Sequence, residues 1–295
     1  MPYSMNAGLR AAIAVGALLL AGCATMRDAP LRPDTIFAVT DANTLIRFNA
    51  GRPASLDASV AVSGLAAGER LLGIDFRPAN GRLYAAGSSG TVYIIDTASG
   101  AAAAVGSGRF SGFIKGEEIG FDFNPMADRI RMVDNTGANL RLYPDTGEVT
   151  DGNPGMPGVQ PDAALAYSRE DANHGRLARV VAVAYTNAQG ATATTNFAID
   201  AAQATLVTLG RPEGTTPAKT PSNPNEGQLF TVGRLGVMTG ARVSFDIHPA
   251  RRSAYAALQE GDASALYEIN LASGAARRIG VVGKGLLVRG LSIAP

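Results

Sequence analysis

Tryptophan is absent from the 295 residues, cysteine occurs once, histidine twice and lysine three times. Each scarcity removes a class of chemistry. A single cysteine, Cys23, excludes a disulfide framework or a thiolate metal cluster within one chain. His174 and His248 stand alone, with neither His-x-His nor His-Glu-x-x-His spacing, so no zinc motif exists. No Cys-x-x-Cys-His, Gly-x-Ser-x-Gly or Gly-Lys-Ser/Thr phosphate loop is present. Charged residues make up only 17%, with 26 basic against 25 acidic and a net charge of +1. No basic run breaks this balance, which excludes the electrostatic footprint of a nucleic-acid binder. The longest apolar run, Ala11–Leu20, is half the roughly 20 residues that a membrane-spanning helix needs. No later stretch keeps apolar residues at i, i+3, i+4 and i+7 over a normal helix length.

What is present begins with an address. Arg10 followed by Ala11–Leu20 reads as the charged and apolar regions of a signal peptide, residues 1–22. Leu20-Ala21-Gly22-Cys23 resembles the lipobox of bacterial lipoproteins, in which cleavage leaves an acylated cysteine first. Two or more acyl chains make a stable anchor. Ala24 rather than Asp follows, which by that resemblance implies outer-membrane delivery. Removing Arg10 leaves 25 basic and 25 acidic residues, so lipid rather than charge is expected to hold the protein to the envelope. Residues 23–33 form the lipid anchor and linker.

The remainder, 34–295, repeats itself. An apolar run ending in a polar residue and Pro appears as Gly73-Ile74-Asp75-Phe76-Arg77-Pro78 and Gly120-Phe121-Asp122-Phe123-Asn124-Pro125. It returns as Ser244-Phe245-Asp246-Ile247-His248-Pro249 and Gly290-Leu291-Ser292-Ile293-Ala294-Pro295, with Leu165-Ala166-Tyr167 a weaker copy. A second apolar piece follows each, including Arg82–Ala86, Arg129–Val133, Val180–Ala184 and Ser253–Ala257. Short β-branched and aromatic runs bounded by Gly, Asn and Asp are strand-and-hairpin grammar. Asp75, Asp122, Ala166, Asp246 and Ser292 step by 47, 44, 80 and 46 residues, a period near 45 with one excess. The excess is assigned to a loop insertion at 211–240, rich in Pro. The expectation is all-β: a β-propeller of about five four-stranded blades, or six if Gln228–Val237 forms a degenerate blade. The C-terminal strand at Leu286–Pro295 should pair with N-terminal strands at Thr35–Val39 and Leu45–Asn49 and close the ring.

The blocks at 117–142 (EEIGFDFNPMADRIRMVDNTGANLRL) and 71–85 (LLGIDFRPANGRLYA) resemble a bacterial secreted family, the domain of unknown function 4394. Residues 225–237 are similar to its later block. The resemblance implies a secreted or envelope repeat-β domain and brings no activity, cofactor or catalytic residue with it.

Candidate ligand-binding residues follow from the repeats. Glu118 and Arg242 both lie four residues before a motif Asp, beside Glu117, so they should face one mouth of a central channel. Arg131, Asp134, Asn135 and Asn139 belong to the same sharply patterned unit. Asp75, Asp122 and Asp246 read as structural, bonding backbone at each blade. The sequence therefore points to a lipid-anchored binding or scaffolding module for an envelope protein, glycan or small molecule, without a cofactor and without nucleic acid. The alternative is a lactonase-like hydrolase in the channel, with a divalent cation held by oxygen ligands among Glu117, Glu118, Asp134, Asn135 and Asn139. Cys23→Ser should abolish recovery in the membrane fraction while leaving a foldable domain, because the anchor precedes the repeats. Equal membrane recovery of both forms would contradict lipidation.

Overall fold

The computed structural model describes residue 1 and residues 29–186, 190, 192–211 and 223–295. The signal segment, Cys23 and residues 212–222 lie outside the described residues. The first blade holds β1 (Thr35–Thr40), β2 (Thr44–Asn49) and β3 (Leu56–Ala61). The second holds β4 (Leu71–Phe76), β5 (Leu83–Gly87), β6 (Val92–Ile95) and β7 (Ala102–Ala104). The third holds β8 (Ile119–Asn124), β9 (Arg129–Asp134) and β10 (Asn139–Leu142). A two-residue strand, β11 (Ala166–Tyr167), precedes β12 (Val180–Tyr185), β13 (Asn196–Asp200), β14 (Thr205–Leu209) and β15 (Gln228–Arg234) of the fourth. The fifth holds β16 (Val243–Ile247), β17 (Ala254–Glu260), β18 (Ala263–Ile269) and β19 (Ala276–Val281). The last strand, β20 (Val288–Ile293), returns to the first blade, in the order β20-β1-β2-β3.

Five sheets therefore form a five-bladed β-propeller. Its ring closes where β20 pairs antiparallel with β1, Ile36 opposite Ile293 and Ala38 opposite Leu291. Five apolar clusters fill five wedges, one between each pair of neighbouring blades. Ile36, Phe48, Tyr255 and Leu291 pack between the fifth and first, for example, and Tyr84, Phe121 and Met132 between the second and third. Inner and middle strands are buried on both faces by this arrangement, so β5, β12 and β16 are buried throughout rather than alternating. Continuous apolar runs are what such two-sided burial demands.

The fourth blade departs from the sequence expectation. Its innermost strand is β12, not Leu165-Ala166-Tyr167, which instead forms the outer edge strand β11, parallel to β15. Ala184 occupies the place of the motif Asp, and true inner-strand spacings from Asp122 to Ala184 to Asp246 are 62 and 62 residues. Without Asp or Pro, β12 is unrecognisable as a motif copy. The stretch 211–240 also contains β15, the fourth strand of this blade, so Gln228–Val237 does not start a sixth. The third blade has three strands and only an isolated bridge, Leu142 to Val149, where a fourth would run. Beyond it Pro154, Pro157 and Pro161 interrupt the chain, and proline cannot donate to a ladder.

Around the axis the inner strands approach so closely that side chains are nearly excluded. A Cβ at Gly120 would lie 2.7 Å from the Val183 nitrogen, and one at Gly290 2.7 Å from the Ile74 nitrogen. Equivalent positions in the other blades carry Gly73, Ala182 and Ser244, all small. Deleting Leu286–Pro295 should leave the chain unfolded or aggregated. It removes buried Val288, Leu291 and Ile293, worth about 1.5–3 kcal/mol each, from a domain whose whole stability is about 5–15 kcal/mol. A soluble truncation with an unchanged melting temperature would refute closure.

Candidate functional site

The channel is pinched shut between its ends. The space among Gly73, Gly120, Ala182, Ser244 and Gly290 is only about 10 Å³, at the threshold for a single water. Its two mouths are therefore separate chemical environments.

At the mouth where the inner strands begin, Glu118 and Arg242 lie 3.6 Å apart. Arg242 reaches Asp41 at 2.6 Å, and Arg289 pairs with the same carboxylate. Asp41, in the turn after β1, is thus the shared anion between two arginines from different blades. Burial pushes the Glu118 carboxyl upward, against the pull of Arg289 and Arg242. Glu117 is exposed beside it. Asp134 organises the adjoining loop: its carboxylate accepts from the amides of Lys115, Gly116, Thr136 and Ala138 and from the Thr136 hydroxyl. Burial raises its pKa, but these bonds together bring it below the ordinary value. Asn135 donates its amide to the Glu118 carbonyl at 3.1 Å. Apart from exposed Glu117, these charges are engaged by one another and by the loop they hold.

Arg131 and Asn139 sit elsewhere, inside the third blade. Asn139 accepts from Arg131 Nη1 at 2.8 Å and donates to the carbonyls of Ala163 and Pro224. The sequence candidates therefore fall into two groups rather than one site.

The opposite mouth holds a cavity of about 260 Å³. The prolines that end the repeat motif, Pro78, Pro125, Pro249 and Pro295, stand around it with Phe76, Phe123, Ile247 and Ile293. Asp75, Asp122 and Asp246 converge there, with ligand oxygens within 4.8 Å of one another and all three residues buried. Each carboxylate accepts a main-chain N–H from the next inner strand: Asp75 from Phe123 at 2.8 Å, Asp122 from Tyr185 at 2.8 Å, Asp246 from Ile293 at 2.7 Å. The hydroxyl of Ser292, the fifth-copy counterpart, lies between Asp75 (2.8 Å) and Asp246 (3.1 Å) and can give its one proton to either. Own-strand amides add bonds from Phe76 to Asp75 and Ile247 to Asp246. The aspartates do bond backbone, as their place in the repeats suggested, but they also crowd together beneath a cavity. That convergence was available in principle, since equivalent positions on innermost strands must share one axis.

Burial raises all three carboxyls above the ordinary carboxylate range. Mutual repulsion adds to this: Asp246 acts on Asp75, and both act on Asp122. The arginine that lines the cavity, Arg77, offers little relief. Arg77 is held by Asp128 at 2.8 Å and Asp145 at 2.5 Å, bridging the second blade to the third. The cavity thus combines an apolar wall with an acidic floor that ionises reluctantly.

The family described as the domain of unknown function 4394 matches residues 44–292. No curated protein matches the chain. Among solved structures, a chain from a nidogen/laminin complex aligns at TM-score 0.49 and 12% identity, over 89% of this chain and 98% of that one. TolB from Acinetobacter baumannii aligns at 0.43 and 15%, over 89% and 67%. A structural-genomics protein of unknown function from Bacteroides thetaiotaomicron aligns at 0.47 and 14%, over 85% and 61%. At this level none of them bears on ligand or mechanism.

A carboxyl whose pKa is raised on folding binds more protons in the folded than in the unfolded state. Its contribution to stability therefore falls as pH rises from the unfolded value near 3.8 through the folded one. Asp122→Asn keeps an acceptor for the Tyr185 amide and removes the ionisation. The difference in melting temperature, variant minus wild type, should be near zero or negative at pH 4 and grow positive toward pH 8. A difference that stays constant across this range would show that Asp122 is not held protonated.

Proposed function

The chain belongs to the family of the domain of unknown function 4394, and we propose that it is a lipid-anchored propeller of the bacterial envelope that binds a small ligand in the acidic axial cavity. The observation that carries this reading is the cavity itself: about 260 Å³, apolar at the sides, with three buried carboxyls at its floor. Its volume is just below the roughly 300–1,000 Å³ of ordinary ligand pockets, which suits a compact ligand. The matching chemistry is an apolar body carrying an ammonium or another strong hydrogen-bond donor. An ammonium group beside the floor favours the charged form of a carboxyl that burial holds neutral, so its binding would release a proton. The lipid on Cys23 supplies the membrane attachment and leaves the cavity free of that duty. Delivery to the outer membrane rests on Ala24.

A second reading is a cation-dependent hydrolase in the same cavity, favoured by carboxylate oxygens lying within 4.8 Å. It fits less well. Of the six oxygens, all but Oδ1 of Asp122 already accept a main-chain N–H or the Ser292 hydroxyl. A hard cation wants six to eight oxygen ligands with free lone pairs.

Thermal shift at pH 7 separates the two readings, using benzylamine and cyclohexylamine, their neutral alcohol counterparts, and calcium alone. Stabilisation by the amines, greater than by the alcohols and reduced in Asp122→Asn, is the expected result. No shift with any organic probe would overturn the binding reading. Stabilisation by calcium that a chelator reverses would favour the hydrolase.

A further inference from the structure

The third blade carries a cluster of arginines that the axial cavity does not use. Arg129 and Arg131 are two apart on β9 and so share one face. Arg141 on β10 is the cross-strand partner of Arg131. Like charges placed directly opposite in a sheet destabilise it, so this arrangement requires compensation. Part comes from Asp162, a buried carboxylate that meets Arg131 at 2.7 Å and Arg141 through two bonds at 2.7 and 2.8 Å. Asp162 is thus one carboxylate shared by two of the three arginines. Arg129 shares Asp145 with Arg77, which Asp128 also meets, so four guanidinium groups here face three carboxylates, a surplus of one positive charge among the described residues.

The uncompensated charge faces space. A cavity of about 200 Å³ is lined by all three arginines together with Asn124, Tyr185 and Asn225, and no acidic side chain among the described residues lines it. Arg131 is only 2% exposed and is fixed by Tyr185, Asn139, Asp162 and Asn225. Arg141 reaches Asp162 through Nε and Nη2, so among the described residues its Nη1 has no hydrogen-bond partner. Arg129 lies 4.1 Å over the Tyr143 ring and donates through Nη1 to the carbonyls of Ala127 and Asp128. Its Nε and Nη2 have no partner among the described residues. Rigid, partly desolvated guanidinium groups with open N–H are the usual recognition device for oxyanions.

We propose that this cavity binds a tetrahedral oxyanion, the phosphate group of a small phosphorylated ligand. The surplus positive charge calls for an anion, and the open N–H groups of Arg129 and Arg141 offer it several separate donors. Guanidinium groups on two strands suit a tetrahedral group better than a planar one. The site is distinct from the axial cavity, although Tyr185 touches both, and it does not depend on the function proposed for that cavity.

Calorimetric titration of the full chain at pH 8 and low ionic strength tests this, with inorganic phosphate as probe and chloride and acetate at matched ionic strength as references. Saturable phosphate binding is expected, with no comparable heat from acetate or chloride. Arg129→Gln and Arg141→Gln should each weaken it roughly tenfold or more, the scale of a lost hydrogen bond to a charged group. Arg82→Gln, in an exposed turn of the second blade, should leave it unchanged. If Arg141→Gln disturbs the fold by loosening Asp162, Arg129→Gln decides the question, because its side-chain hydrogen bonds are to main-chain carbonyls of its own turn. Absence of phosphate binding, equal binding of acetate, or unchanged affinity in a folded Arg129→Gln would each overturn the proposal.

Discussion

Every blade of this propeller ends in a sheet edge at the axis, and the hydrogen bonds of that edge have to be satisfied without a neighbouring ladder. The carboxylates of Asp75, Asp122 and Asp246 do this by accepting the amides of Phe123, Tyr185 and Ile293, each on the adjacent inner strand. The bonds run from blade to blade and so also fix the blades relative to one another. Two residues earlier on each strand, small residues let the backbones close in. The narrow axis and the buried acids are two consequences of the same crowding. The cavity above them follows as well, because the chain turns outward at the motif prolines and leaves the floor exposed to it.

Near-neutral composition conceals a segregation of charge. One mouth holds Glu118, Asp41, Arg242 and Arg289 in mutual neutralisation. The other holds acids whose lining arginine, Arg77, is already taken up by Asp128 and Asp145. A third region on the same side carries surplus arginine charge. Arg77 and Arg131 show how position rather than residue type decides a role. Arg77 is balanced by two acids and ties blades together; Arg131 shares one acid with Arg141 and leaves part of its charge to the cavity.

The repeat, the near-absence of helix and the ring closure were all legible in the sequence, because each blade must spend similar residues on similar positions. Asp-Phe-x-Pro and its variants mark the inner strands wherever the axial carboxylate is needed. The fourth blade was misread where that need lapses: Ala184 supplies no acceptor, and the Ile247 amide is instead met by the Asp246 side chain of its own strand. With the marker gone, Leu165-Ala166-Tyr167 matched the period better than the real inner strand did. The Pro-rich stretch hid β15 for a related reason, since seven residues of strand adjoin a loop whose composition dominates any window drawn over both.

By itself the sequence determined the architecture, because strand period and burial pattern are local properties repeated along the chain. It also determined that Glu118 and Arg242 would face one mouth, since equivalent positions in a closed ring share an axis. Tertiary structure alone decided which mouth keeps an open cavity. Asp41, in an unrelated turn, neutralises the arginines at one end, while among the described residues no comparable counter-charge reaches the acids at the other. It also decided that Arg129, Arg131 and Arg141 outnumber their counter-charge, because Asp162 comes from a loop some twenty residues beyond β10 whose path no periodicity encodes. Charge balance is a sum over neighbours in space, and a sequence lists neighbours only along the chain.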